Sequence, residues 1–260
     1  MKPSTIWADK LKKLTGVFFW LGLWQYAAVK IGKEVLLASP LSTIKALISL
    51  CGQSAFWSAI VFSLTRIMLG FALALVVGVL LAGLSAVSDM ARYIFAPLFS
   101  VIKAVPVASF IILALLWVRG GNLSICISFL MVLPIIYINM LEGFTQVDRK
   151  LLEMAAVFRL SNAKKIKYIY LPQIMPYFTA ACTTSLGLCW KSGIAAEVIG
   201  LPNGSMGNRL YETKLYMDTA EMFAWTVVIV LISFLVERGF LWLLNKINGK
   251  ITDGFYRRDI

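Results

Sequence analysis

Some charged residues lie inside or at the edge of long apolar runs, where a charge is most informative. Lys103 precedes Pro106, and Lys191 and Glu197 lie late in a later run. Charged side chains at membrane depth are costly, so they line a pathway, find a buried partner or reach to the interface. Lys191 and Glu197 are about 600° apart on a helix and do not share a face. We treat Lys103, Pro106, Lys191 and Glu197 as pathway candidates, the two lysines suiting an anion, with interface and buried-partner roles left open.

The sequence has few residues that could perform catalysis or bind a metal or a nucleotide. The chain has no histidine, which removes the commonest general base and metal ligand. Its four cysteines lack metal-site spacing, and no GxxxxGK[ST] phosphate-binding loop is present. We expect no catalytic residue, no metal and no cofactor in this chain, which argues against an intramembrane protease or acyltransferase.

The elements that position these residues are apolar helices. The chain is 60% hydrophobic and 15% charged, whereas soluble domains average about 25% charged. Its apolar runs do not alternate, so they predict membrane-spanning helices rather than barrel strands. We predict an all-α polytopic bundle with about six transmembrane helices, near 14–29, 60–87, 93–118, 123–144, 172–199 and 222–244.

Basic residues indicate the orientation of this bundle. The net charge of +12 suggests nucleic acid, but the basic residues flank apolar runs, as the positive-inside rule describes. With six spans, 16 of the 25 basic residues lie on the side of the termini and 6 on the other. We therefore expect a multi-pass membrane protein with both termini cytoplasmic, contacting lipid and no nucleic acid. The first span is expected to be an uncleaved anchor rather than a signal peptide.

Small residues and prolines mark particular spans. Gly70, Ala74, Gly78 and Ala82 recur every four residues, which predicts close packing of the second span against a neighbour. Prolines interrupt the third and fourth spans at positions 97, 106 and 134. Such breaks accompany transport pathways but also occur as plain kinks, and both interpretations stay open.

The stretch LLEMAAVFRLSNAKKIKYIYLP, residues 151–172, is amphipathic and basic. Asp148 can cap a helix that begins near Arg149. The LSN triplet predicts a break, after which Ser161 or Asn162 caps a second short helix. This helix carries Lys164, Lys165 and Lys167, and Leu171-Pro172 then starts the fifth span. We expect two short helices joined by a turn, too charged to span and suited to presenting a surface to a cytoplasmic partner.

The same segment resembles a motif in permease subunits of bacterial ABC importers: E-A-A, three residues, G, nine residues, I-x-L-P. Glu153, Ala155, Ile169, Leu171 and Pro172 match five of its seven positions. Met154 replaces an alanine and Arg159 replaces the glycine. Glycine accepts positive φ freely, whereas arginine there costs about 1 kcal/mol. Either this turn is built differently or the cost is absorbed.

Three further stretches resemble this family: 61–89, 95–121 and SGIAAEVIGLPNGSMGNRL at 192–210. The pattern is most similar to the nitrate, sulfonate, taurine and bicarbonate group. The resemblance implies a type I importer permease fold, with residues 1–58 as anchor helix and external segment, 59–245 as the permease domain with coupling helices near 149–170, and 246–260 as a cytoplasmic tail.

The resemblance implies a transport subunit of the bacterial plasma (inner) membrane that is not itself an enzyme. It would form the pathway with a second copy, receive solute from an extracytoplasmic binding protein, and be driven by a cytoplasmic ATPase that binds ATP and Mg²⁺. The solute would be an organic sulfonate, a nitrate-like anion or a vitamin precursor. The implied ATPase-coupling residues are Glu153, Ala155, Ala156, Arg159, Ser161, Ile169, Leu171 and Pro172. A secondary transporter or channel without an ATPase is the alternative.

Overall fold

The computed structural model describes the backbone of residues 3–256 and the side chains of residues 15–244 and 246. Over these residues the chain is helical and contains no strand, which confirms the predicted class. The helices are α1 Pro3–Ile31, α2 Pro40–Cys51, α3 Ser54–Val87, α4 Asp89–Ala104, α5 Val107–Ala114, α6 Gly120–Thr145, α7 Arg149–Val157, α8 Asn162–Lys165, α9 Leu171–Gly200, α10 Met206–Leu215 and α11 Thr219–Tyr256. A π-helical turn, Ile166–Tyr170, joins α8 to α9.

Helices α3, α6 and α9 form the centre of the bundle. A Cβ placed on Gly70 would lie 2.5 Å from the Ile125 carbonyl oxygen, and one on Gly78 would lie 2.8 Å from Ile136. The four small residues of α3 are all buried, so the predicted close packing is confirmed and α6 is the neighbour. Because Gly70 meets Ile125 and Gly78 meets Ile136, α3 and α6 run parallel.

Helix α9 runs antiparallel to α6. Its start lies beside the end of α6, where Gly143 faces Tyr177, and its end lies beside Leu123 at Gly200. The 23 residues between Tyr177 and Gly200 correspond to about 35 Å of helix, enough to cross a hydrocarbon core. The bundle therefore has two ends: the loop α6–α9 lies at one, and the loop α9–α11, which contains α10, lies at the other.

The predicted third span is broken. Helices α4 and α5 form a pair bent by 102°, and the break falls at Val105 and Pro106, where the α4 carbonyls meet a residue without an N–H. By contrast, Pro97 and Pro134 lie inside continuous helices. The start of α6 lies beside the first half of α3, because the Arg66 side chain contacts Asn122. Helix α3 ends at Val87, about 30 Å further along the bundle. The segment that contains α4 and α5 therefore brings the chain back over this distance before α6 begins.

By length and composition, three described helices could cross a membrane, Ser54–Val87, Gly120–Thr145 and Thr219–Leu244, and four could if the bent pair counts as one. Helix α9 has the length, at 30 residues, but is more polar. The side chains of residues 1–14 lie outside the described part of α1. The total of six spans stays a prediction. The boundary predicted at 245 falls inside the continuous helix α11.

Candidate functional site: the loop between α6 and α9

The loop between α6 and α9 is ordered by caps that follow from its sequence. Helix α7 begins at Arg149, and the Asp148 carboxylate accepts a hydrogen bond from the Lys150 amide at 2.8 Å. This is the predicted N-cap. The Asp148 amide in turn donates to the side-chain oxygen of Gln173 at 2.9 Å, which ties the start of α7 to the start of α9. Sequence reasoning missed Gln173, whose only signal is a polar residue directly after Leu171 and Pro172.

Arg159 occupies the left-handed region, with φ of +49°. Its amide donates to the Ala156 carbonyl at 3.0 Å, and the Leu160 amide donates to the Ala155 carbonyl at 2.9 Å. These two bonds form a Schellman motif, in which the residue after the helix usually is glycine. The turn is therefore a left-handed helix cap of the kind that glycine favours, and arginine adopts this conformation at a cost in free energy.

Residues 149–170, here called the loop module, have an inner and an outer face. Ala155 and Ile169 are buried and belong to the hydrophobic core. Met154, Val157 and Phe158 are exposed on the outside, Phe158 by 71%. Glu153 and Ala156 are also exposed. The module thus packs on the bundle through Ala155 and Ile169, beside which Leu152, Leu160 and Tyr170 are partly buried, and it presents an apolar surface bordered by charges.

The second half of the module contains the predicted short helix, α8, and the fifth span begins at Leu171 as expected. The π-helical turn joins α8 to α9 without a break, which the sequence did not predict. Pro172 lies in the first turn of α9 and cannot donate to the carbonyl four residues earlier. The Leu171 amide reaches back five residues to the Ile166 carbonyl, which is the hydrogen bond of a π-helical turn. Ser161 takes the N-cap position of α8 without a side-chain cap bond.

Glu197 lies at the opposite end of α9 and is buried. Its Oε2 accepts from the Ser63 hydroxyl at 2.6 Å and from the Gly207 amide at 3.2 Å. The Ser63 hydroxyl accepts from the Met206 amide at 2.9 Å. The carboxylate therefore holds the first turn of α10 against α3 and α9, as acidic groups do at helix N-termini. Sequence reasoning did not find Ser63 or Gly207, because 134 residues separate Ser63 from Glu197.

The two candidate lysines lie on exposed surfaces. Lys103 lines a cavity of about 620 Å³ between α4 and α6, together with Arg92, Ser100 and Tyr137. Lys191 is exposed on α9, away from buried Glu197, so the two do not share a face, as predicted. Among the described residues neither lysine has a hydrogen-bond or ion-pair partner. Arg66 differs, since it donates to Asn122 at 3.0 Å and lies 4.2 Å from the Phe62 ring centroid.

Comparison with known proteins gives the family. Residues 74–249 match the family described as binding-protein-dependent transport system inner membrane component. The chain is 25% identical to the taurine transport system permease protein TauC of Escherichia coli, over 86% of this chain and 83% of that protein. It is 23% identical to the putative aliphatic sulfonates transport permease protein SsuC of Bacillus subtilis, over 91% and 80% of the two chains.

A third relative is the bicarbonate transport system permease protein CmpB of Synechococcus elongatus, which is 25% identical over 74% of this chain and 69% of that protein. These relatives confirm the resemblance that the motif of the loop module indicated. The chain belongs to the family of inner membrane components of binding-protein-dependent transport systems, the permeases of ABC importers.

Proposed function

We propose that this chain is the permease subunit of an ATP-driven importer and that the loop module is where its ATPase docks. Two copies would form the pathway, and an extracytoplasmic binding protein would deliver the solute. The chain itself would carry out no hydrolysis, since ATP and Mg²⁺ would be bound by the partner ATPase. Taurine, sulfonate and bicarbonate in the names of relatives favour an organic sulfonate or a small oxyanion, with a vitamin precursor as the further candidate.

The observation that carries this proposal is the two-faced loop module. A partner that pushes on Met154, Val157 and Phe158 would act on the bundle through Ala155 and Ile169, which are packed in the core. The π-helical turn then connects the module to α9 without a flexible linker. Motion of an ATPase at this surface would therefore tilt α9, which reaches the other end of the bundle and holds α10 through Glu197. This is a route for coupling ATPase closure to alternating access.

Charge reversal at Glu153 tests the docking site. Glu153 is exposed and is the only carboxylate between Arg149 and Pro172, so Glu153→Arg removes the one acidic contact that the module can offer. We expect the ATPase subunit to be lost from the purified complex while membrane insertion of the permease is unchanged. Glu34→Arg is the matched control, because Glu34 is exposed and its neighbour Val35 accepts from Thr219 at the opposite end of the bundle.

Two results would contradict the proposal. One is equal co-purification of the ATPase with the Glu153→Arg and Glu34→Arg variants. The other is a native-membrane complex without any ATPase, which would favour a secondary transporter or channel. The solute is a separate question, answered by thermal-shift screening of the cognate binding protein with sulfonates, oxyanions and vitamin precursors.

A further inference from the structure

An apolar groove of about 610 Å³ lies beside the loop module, at the end of the bundle where α3 and α6 finish. Its walls are the last turns of α3, the last turns of α6 and the junction of the π-helical turn with α9, and they include Val79, Gly83, Val87, Phe144, Ile166 and Phe178. Of the described side chains that line it, only that of Tyr170 carries a hydroxyl, and none is charged. Because an ordered water needs two to four polar partners, the groove is suited to an apolar occupant.

The groove opens onto an apolar helix surface. Leu80, Leu84 and Val87 follow one another at intervals of four and three residues along α3, and all three are exposed. Val87 also lines the groove. Two of the walls belong to Ser54–Val87 and Gly120–Thr145, which are long and apolar enough to cross a membrane. An acyl chain can therefore enter the groove from the same surface that contacts lipid tails.

Basic residues lie at the module end of the groove. Lys164, Lys167 and Leu171 are three and four residues apart on a continuous helical segment, so they follow one face of it. Leu171 lines the groove, and both lysines are exposed. The Lys167 ammonium group lies 5.5 Å from the Tyr168 ring centroid. No acidic residue occurs in the sequence between Lys164 and Phe178, so an anion at this edge would meet two positive charges.

From this combination we propose that the groove binds one acyl chain of an anionic phospholipid and that Lys164 and Lys167 contact its headgroup. Basic residues beside a space between membrane helices, on the cytoplasmic side, are typical of sites for anionic headgroups. The predicted sidedness places this end of the bundle in the cytoplasm. The lipid would fill the space between α3 and the π-helical turn, through which the module connects to α9. This inference goes beyond the proposed function and depends on neither the solute nor the ATPase.

Lipid titration of the purified permease tests the site. The delipidated protein in detergent is titrated with phosphatidylglycerol or phosphatidylcholine that carry the same two oleoyl chains, and bound lipid is counted by native mass spectrometry. Gly83→Leu fills the groove, since a Cβ on Gly83 would already lie 3.9 Å from the Phe144 ring. Gly187→Leu is the matched control, because Gly187 is a helical glycine of α9 that does not line the groove, and a Cβ there would meet nothing within 4 Å.

We expect one phosphatidylglycerol to bind with an affinity at least about tenfold higher than that of phosphatidylcholine. Lys167→Gln should lower the affinity for phosphatidylglycerol by about fivefold, the effect of one basic residue near an anionic headgroup, and leave that for phosphatidylcholine unchanged. Gly83→Leu should abolish the binding of both lipids at this site. Gly187→Leu, and Lys33→Gln in the α1–α2 loop, should bind as the unmodified chain does. Size-exclusion profiles identify any variant that does not fold.

Crosslinking identifies what occupies the groove. A phosphatidylglycerol with a diazirine at the end of one acyl chain should label peptides from 79–87, 140–144 or 166–178. In native membranes, Val87→p-benzoylphenylalanine should crosslink to phospholipid. A crosslink to residues 1–14 or to a second copy of the chain would show a protein occupant and overturn the proposal. Equal affinities for the two lipids, or phosphatidylglycerol binding that survives Gly83→Leu, would overturn it as well. Because the ATPase is absent from every titration, these outcomes are independent of the docking test at Glu153.

Discussion

Arg159 stands where the family motif has glycine, and its backbone is strained as a result. Its φ of +49° lies in the left-handed region, where a Cβ costs about 1 kcal/mol relative to glycine. The Schellman bonds at Arg159 and Leu160 nevertheless form. We infer that the burial of Ala155 and Ile169 on either side of the turn supplies the compensating free energy.

Arg159→Gly should therefore stabilise the turn. We expect the hydrogen exchange of the Leu160 amide, which bonds to Ala155, to slow by up to about fivefold, the equivalent of about 1 kcal/mol. Arg159→Ala is the control, since it removes the guanidinium but keeps the Cβ, and it should bring no such protection. Equal protection in both variants would mean that the arginine side chain, and not the backbone, strains the turn.

Among the elements, the crossing of α3 and α6 sets the frame on which the other helices lie. A Cβ on Gly70 would lie 2.5 Å from the Ile125 carbonyl oxygen and 2.8 Å from Ser128 Cβ, whereas one on Gly83 would lie 3.9 Å from the Phe144 ring. Replacing glycine by alanine in α3 should therefore cause a steric clash at Gly70 and none at Gly83. Backbone atoms cannot move aside at Gly70, while Gly83 has ordinary van der Waals space.

We expect Gly70→Ala to destabilise the permease by about 1–3 kcal/mol through overpacking. Gly83→Ala should be neutral or stabilising by up to about 1 kcal/mol, since alanine favours the helix. Thermal unfolding of both variants in one detergent measures the difference. If the two variants unfold at the same temperature, α3 and α6 do not pack as closely as the structure shows.

At the scale of the whole molecule, the loop module and α10 lie at opposite ends of α9. The predicted sidedness places the module in the cytoplasm, where Arg149, Lys150 and the lysines at 164, 165 and 167 add positive charge. Exposed residues mark both ends: Phe158 in the module is 71% exposed, and Tyr216 after α10 is 83% exposed. The orientation in the membrane can therefore be measured at two sites that differ only in the end they occupy.

In spheroplasts, a membrane-impermeant maleimide should label Tyr216→Cys and leave Phe158→Cys unlabelled until the cells are permeabilised. The expected order follows from the excess of basic residues on the side of the module. The experiment uses the Cys51→Ser background, because Cys51 is exposed. Labelling of Phe158→Cys in intact spheroplasts would place the module outside and contradict ATPase docking at this surface.

The sequence by itself determined the all-helical class, the positions of most apolar helices and the family. Long apolar runs predict helices, because a backbone segment in lipid has to satisfy its own hydrogen bonds. The N-cap at Asp148 and the family motif from Glu153 to Pro172 are local patterns, readable because each depends on neighbours within one or two turns. The spacing of the small residues from Gly70 to Ala82 likewise predicted a closely packed face on α3. It did not predict that α6 is the helix that packs against this face.

Only the tertiary structure decided contacts between residues distant in the chain. Ser63 and Gly207 meet Glu197 because α3, α9 and α10 converge there, and no local pattern encodes that meeting. The 102° bend at Pro106 and the continuity of α8 with α9 through a π-helical turn also depend on what surrounds each proline. A proline removes one hydrogen bond in either case, and packing determines whether the helix breaks or adjusts.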